Sequence, residues 1–286
     1  ILGQVHDASY LAFLETAWEE WQALDMPGDA LPFVFPARRM QQRVPDHIEG
    51  KLGYYAMAMD AAITKGTYDA ALGSASLAFS AAKAIADGDR SAFALCRPPG
   101  HHAGIDLYGG YCFLNNAAIA AQYLLQRNCM RVAIVDVDFH HGNGTQDIFY
   151  ARDDVLFVSL HGDPKIAFPH FTGYADETGM EQGAGYTLNL PMGQATPFTE
   201  WQENLHIGLK RIEEFAPDAL AISLGVDTFG QDPISFFALQ EEDYFPMGES
   251  LARLRLPSIF VMEGGYAIHK IGKITANVLT GFVQSH

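Results

Sequence analysis

Five short apolar runs punctuate the chain, and each stops at a cluster of groups able to bind metal or move protons. Ser91–Cys96 leads into Arg97-Pro-Pro-Gly100-His101-His102, and Val132–Val135 into Asp136-Val-Asp138-Phe-His140-His141-Gly-Asn143. Val155–Leu160 leads into His161-Gly-Asp163, Ala219–Leu224 into Gly225-Val-Asp227, and Ser258–Met262 into Glu263-Gly-Gly-Tyr266. Near-continuous apolar runs separated by helical stretches are what a parallel sheet covered on both faces requires. Apolar residues at helical spacing predict helices over Asp7–Leu24, Asn115–Gln126 and Phe198–Phe215, the last stopped by Pro217. An Ala-rich stretch predicts another over Thr67–Ala86. The expected fold is a single α/β domain over residues 1–286, a central parallel β-sheet flanked by helices on both faces. Ligands in such sheets sit beyond the carboxyl ends of the strands, so all five clusters are expected on one edge and within reach of one pocket.

Between the first two helices, Asp25–Gly66 carries Pro27, Pro32, Pro36 and Pro45 and is too long and irregular for a connector. A segment of that kind is expected to be a lid or a subunit contact, and its apolar stretch Leu31–Phe35 favours a homodimer joined through it.

Composition narrows the setting. With 286 residues, 49% of them hydrophobic, the chain can bury a large core. No apolar stretch is long enough to span a bilayer, and the first residues lack the pattern of a signal peptide. Three cysteines, Cys96, Cys112 and Cys129, lie in apolar or turn contexts and predict reduced thiols in a cytoplasmic protein. A net charge of −16 weighs against nucleic acid and suits attraction of small cations.

Charged groups leave water only when paired or bound to metal, so a buried strand ending in two carboxylates and two imidazoles marks a site. The strand period of two puts Asp136, Asp138 and His140 on one side of the chain. Asp138 and His140, joined by Asp227, make the two-carboxylate, one-imidazole set of a catalytic Zn²⁺ with positions left for water and substrate. His101 and His102, held on a Pro-Pro-Gly loop, are expected to share the proton transfer, oriented by Asp136 and Asn143. A carboxylate partner favours imidazolium more than an amide does, so the histidine paired with Asn143 is expected to start neutral, as the base. Tyr266 follows two glycines, read as a flexible hinge, and would donate a hydrogen bond to a developing oxyanion.

Taken together, Arg97–His102, Gly109-Gly-Tyr-Cys-Phe-Leu-Asn-Asn116, Asp136–Thr145, Gly225-Val-Asp-Thr228 and Glu263–Tyr266 resemble the zinc-dependent histone deacetylase superfamily, from about Val5 to the C-terminus. Gly225–Phe237, the Asp25–Gly66 insertion and His161–Pro164 most resemble its bacterial acetylpolyamine amidohydrolases. The resemblance implies an arginase–deacetylase fold and a Zn²⁺-dependent enzyme, with Fe²⁺ the alternative metal in the cell, that releases acetate from acetylated polyamines or diamines. It implies His102 as general base, His101 as its electrostatic partner, Tyr266 as the carbonyl-polarising phenol, and Asp138, His140 and Asp227 as zinc ligands. Gly110, Tyr111 and Phe168 would line the substrate tunnel, and Glu49 and Asp60 would read the distal ammonium groups. A structural K⁺ would be held by Asp136, Asp138, His140, Ser159 and Leu160, a second by Phe149, Arg152, Val155 and Tyr186. The opening strand and His-Pro-Glu type segment usual in the family are missing from a chain that starts at Ile1, which leaves the sheet edge open to question. The alternatives are a lysine deacetylase acting on acetyl-lysine peptides, an arginase-like two-metal enzyme, and a silent binding module.

Overall fold

The computed structural model describes all residues from Ile1 to His286. In chain order the elements are α1 (Leu2–Val5), α2 (Ala8–Ala23), α3 (Ile48–Tyr54), α4 (Thr67–Ala86), β1 (Ser91–Ala94), α5 (Asn116–Leu125), β2 (Val132–Asp136), α6 (Asn143–Phe149), β3 (Val155–Gly162), β4 (Thr187–Met192), α7 (Phe198–Phe215), β5 (Ala219–Leu224), α8 (Tyr244–Ala252), β6 (Ser258–Met262) and α9 (Ile271–Ser285). The helices expected from periodicity form within a residue or two of their expected ends. Local chemistry sets those ends: the Asp7 carboxylate caps α2 by accepting from the Ser9 amide, and the Asn115 side chain caps α5 through the Ala118 amide. Helix α7 closes on Ala216 in the left-handed region, just before Pro217.

The strands form one six-stranded sheet in the order β1-β6-β5-β2-β3-β4, every pair parallel. Five strands match the apolar runs. The sixth, β4, alternates Thr187, Leu188, Asn189, Leu190 and pairs only with β3, an edge position where Pro191 is tolerated. Its weak apolar signal hid it in the sequence; the sequence reading also leaves α6, α8 and α9 unassigned, within chain expected only to be mainly helical.

The period of two divides the core. Ile134, Phe157, Ala221 and Val261 face one side with α2, α4 and α5, whereas Val135, Val158, Ile222 and Phe260 face the other with α7, α8 and α9. Removing a fully buried side chain of this kind costs about 2–5 kcal/mol, so the sheet is a rigid platform for whatever its loops carry. After β4 the chain returns to place β5 beside β2 and then β6 beside β5, so the winding reverses between β2 and β5. That reversal opens a crevice at the carboxyl ends.

The 25–66 segment is more ordered than its composition suggests. Ala30 and Ile63 exchange backbone hydrogen bonds of 2.9 Å at its base, α3 forms within it, and Ile48, Leu52, Tyr55 and Ile63 enter the core. Only residues 33–44 are exposed throughout, including Phe33, Val34 and Phe35. The opposite flank of the site reaches this stretch, since the Arg38 guanidinium lies 5.6 Å from the centre of the Phe171 ring.

Candidate active site

Four adjacent strands, β1, β6, β5 and β2, deliver the polar residues to the crevice. Strand β2 ends at Asp136, and beyond it the chain advances by side-chain turns rather than by pleat. The Asp138 amide donates to Asp136 Oδ1 (3.1 Å) and the His140 amide to Asp138 Oδ1 (2.8 Å), each carboxylate reaching two residues ahead. The expected one-sided trio therefore divides. Asp138 and His140 meet Asp227 from β5, while Asp136 turns its Oδ2 to His101.

Ligand atoms of Asp138, His140 and Asp227 lie within 4.8 Å of one another, and all three residues are buried. His140 Nδ1 stands 2.9 Å from Asp227 Oδ2 and 3.2 Å from Asp138 Oδ1. Backbone amides orient the carboxylates, Phe139 donating to Asp227 Oδ1 and Gly264 to Asp138 Oδ2, both at 2.8 Å. Burial pushes the Asp227 carboxyl up to about 7, and the neighbouring Asp138 adds to the rise. Burial opposes the charge on His140, yet the two carboxylates outweigh it and raise the imidazole to about 10. A single proton between two buried carboxylates is a poor substitute for a divalent cation, so this donor set fits one.

The two tandem histidines are held by different partners. His101 Nδ1 donates to Asp136 Oδ2 (2.9 Å), and His102 Nδ1 donates to Asn143 Oδ1 (2.7 Å). Burial lowers the His101 pKa, but Asp138 and Asp136 reverse the sign and hold it well above the ordinary range. His102 is pushed well below that range by burial first and by the charges on His101 and His140 second. The neutral and charged imidazoles thus fall where the partners imply. With Nδ1 committed as a donor, His102 keeps Nε2 as a free acceptor.

Around them stands an aromatic wall. The Phe168 ring is 5.1 Å from His102 and 6.1 Å from His140, both edge-on. Tyr111, 42% exposed, meets Tyr266 at 5.8 Å. Gly110 lies in the left-handed region (φ 54°), and a Cβ there would come within 2.2 Å of His102 Cδ2. Its amide donates to Asp60 Oδ1 at 2.9 Å, which places Asp60 beside the aromatic wall. Glu49, by contrast, is exposed on α3 and pairs with His47 at 3.6 Å rather than with a group of the crevice.

Tyr266 does not sit on a loose hinge. Gly264 is required because a Cβ there would lie 2.7 Å from both Asp138 Oδ2 and Asp227 Oδ2, and its carbonyl accepts from the Val226 amide at 2.8 Å. Burial, reinforced by Asp227 and Asp138, drives the phenol pKa far up, so Tyr266 remains a neutral donor.

One cluster stays out. His161 accepts from Ser159 Oγ (2.8 Å) and donates to the Gly173 carbonyl (2.8 Å), and His141 engages Gln146 and Thr172. These imidazoles hold loops together, and β3 contributes to the crevice only through Phe168 on the loop that follows. Two acids given no task in the sequence reading do have one. Glu263 Oε2 accepts from the amides of Gly100 (2.7 Å) and His101 (3.1 Å), and Asp232 accepts from the backbone of Tyr266. Glu263 was visible as a lone acid closing an apolar run; Asp232 had no such signal.

Of the residues expected to bind K⁺, Ser159 stands opposite Asp136 in the β2–β3 register. Phe149, Arg152, Val155 and Tyr186 gather near the start of β3, where the Arg152 amide donates to the Phe149 carbonyl and the Phe157 amide to that of Tyr186.

The family described as histone deacetylase domain matches residues 1–282. The chain belongs to this family. Histone deacetylase relatives include an acetylpolyamine amidohydrolase of Mycoplana ramosa, 58% identical over 278 residues that cover 97% of this chain and 82% of that protein. Acetylpolyamine amidohydrolase 2 of Pseudomonas aeruginosa is 52% identical, over 99% of this chain and 82% of its own length. Among solved structures, an acetylpolyamine aminohydrolase from Burkholderia pseudomallei superimposes with a TM-score of 0.93 at 42% identity, covering 98% of this chain and 82% of that one. That structure shares the parallel-sheet fold; the histone deacetylase family is metal-dependent, and the buried Asp138, His140 and Asp227 are groups able to hold a metal ion.

Proposed function

We propose that this chain hydrolyses the acetyl amide of acetylated polyamines or diamines, releasing acetate and the free amine. The observation that carries the reading is the buried Asp138–His140–Asp227 set beside two histidines held in opposite charge states. Zn²⁺ held by these three residues, or Fe²⁺ in the cell, would supply Lewis acidity toward the acetyl carbonyl and acidify a water.

The protein's own groups do the rest. His102 Nε2, free because Nδ1 is tied to Asn143, takes the proton of the attacking water. His101, cationic beside Asp136, stabilises the negative charge that develops. The Tyr266 phenol donates to the oxyanion. As the carbon–nitrogen bond breaks, the proton passes to the leaving amine. Gly110, Tyr111 and Phe168 exclude water and admit a slender acyl-amine chain.

The names of the relatives and the 33–44 stretch near the mouth favour a small amine over a peptide. Asp60 at the rim is the acid best placed to meet a distal ammonium group; Glu49 would contribute from α3 through longer-range attraction. The chain works as one domain and pairs with a second copy through Phe33, Val34 and Phe35, an exposed apolar strip that sedimentation can test directly. Two K⁺ ions would be held at the Ser159 and Phe149 groupings, and the enzyme acts in the cytoplasm without nucleic-acid partners.

Comparing kcat/KM for acetylputrescine, acetylspermidine and an acetyl-lysine peptide tests the assignment. The small amines should lead. A peptide turned over as well as either amine would shift the reading to lysine deacetylation.

A further inference from the structure

The loop that carries Tyr266 is pinned from outside the metal-ligating set. Asp232, buried on the loop after β5, accepts at Oδ2 from the amides of Tyr266 (2.7 Å) and Ala267 (3.2 Å) and at Oδ1 from the Ile234 amide (3.1 Å). Its two oxygens therefore join the β5 loop, which supplies Asp227, to the β6 loop, which supplies the phenol. The Val226 amide makes the same connection to Gly264 at 2.8 Å. Asp232 thus grips, from the backbone side, the residue whose hydroxyl must meet the reacting carbonyl.

We propose that Asp232 is a positioning residue for the hydrolysis: it fixes the backbone of Tyr266 so that the phenol is aimed at the oxyanion, locking it to the loop that bears Asp227. An ionised carboxylate accepting from adjacent amides gives stronger, more directional bonds than a neutral group would. Oxyanion donors act by preorganisation, so a small displacement of the phenol forfeits most of its effect. The inference rests on the role given to Tyr266 above.

Asp232→Asn, in the zinc-loaded enzyme, removes the charge and sets an amide donor against the N–H groups on one side of the bridge, either Tyr266 and Ala267 or Ile234, so that the β5–β6 link is broken whichever way the amide turns. The expected result is a fall in kcat of roughly tenfold with little change in KM or in zinc content. Combined with Tyr266→Phe, the Asp232→Asn change should add less than about twofold, because no phenol remains to aim. 3-Fluorotyrosine placed at position 266 alone should show a shifted or broadened ¹⁹F resonance in Asp232→Asn. Asp232→Glu, which keeps the charge but moves the oxygens by one methylene, should repeat the pattern and serves where the Asn variant does not fold. Losses that multiply in the double variant, or an unaltered ¹⁹F signal with an unaltered kcat, would overturn the positioning role. A near wild-type rate for Tyr266→Phe alone would instead overturn the phenol's assignment.

Discussion

At the scale of single residues, the crevice works by holding each polar group against specific partners, His101 on Asp136 and His102 on Asn143 among them. Asp138, His140 and Asp227 are buried, with ligand atoms within 4.8 Å of one another. Replacing any of them by Ala should remove tight zinc binding and hydrolysis together; one zinc per chain retained in a variant, measured by elemental analysis, would take that residue out of the ligand set. Tyr266→Phe should keep zinc and substrate affinity while lowering turnover by roughly 10²–10³, the usual loss of one oxyanion donor, as steady-state kinetics will read. Gly110→Ala is a sharper steric test. Its Cβ would come within 2.2 Å of His102 Cδ2 in a left-handed backbone, so kcat should drop by about tenfold or more with zinc content unchanged. None of these contacts follows from residue type, although the identity of most of the groups did. The motifs pointed to the histidine pair, the Asp138–His140–Asp227 trio and Tyr266 that the structure gathers, whereas Asp232 looked like one acid among many.

Among the elements, the strands fix where the polar groups sit, and the 25–66 segment is anchored beside them. Helical spacing was strong enough to read α2, α5 and α7, and alanine content to read α4. The apolar pattern failed for β4, whose Thr187 and Asn189 weaken the apolar signal on an edge strand. The long segment shows the opposite failure, since its prolines suggested irregularity while Ile48, Leu52 and Ile63 supply a buried base that anchors it. Only its outer stretch is free to vary. Deleting residues 33–44 and bridging the ends with a short Gly-Ser linker should therefore leave acetylputrescine turnover within a few-fold and raise activity on acetyl-lysine peptides. An unchanged preference across the two substrates would show that the stretch does not select them.

For the whole molecule, the buried histidines outside the crevice tie stability to pH. His6 donates through Nδ1 to the Gly104 carbonyl (2.7 Å) and accepts at Nε2 from the Asn115 amide (3.0 Å), so it is locked neutral. Burial pushes its pKa, and that of His161, down to about 4. Both bind a proton near pH 6.5 when unfolded but not until about pH 4 when folded, so the unfolded state gains protons first as pH falls. Stability should be full above about pH 6.5, decline from there toward pH 4, and level off below it as far as these two groups are concerned. Each contributes up to about 3 kcal/mol at 1.36 kcal/mol per pKa unit. Urea titrations at pH 7.5, 6 and 5 measure the decline, and His6→Leu should be less stable at pH 7.5 yet lose less on acidification.

What this sequence determined by itself is the kind of protein: apolar runs and helical spacings depend on local side-chain order, so they declare a parallel sheet between helices. Groups too costly to bury alone declare metal-assisted proton chemistry. What only the tertiary structure decided is which of those groups meet. Asp227 lies far along the chain from Asp138 and joins it because β5 folds back beside β2. Asp136 parts from Asp138 and His140, with which strand alternation aligned it, because two side-chain turns replace the pleat just where β2 ends. His161 and Asp163 end an apolar run as the others do, yet the sheet order sets β3 one place beyond the four strands that feed the crevice. Spacing along a chain can specify a residue's type and its element. Its partners depend on strand order and loop path, which many weak contacts fix at once.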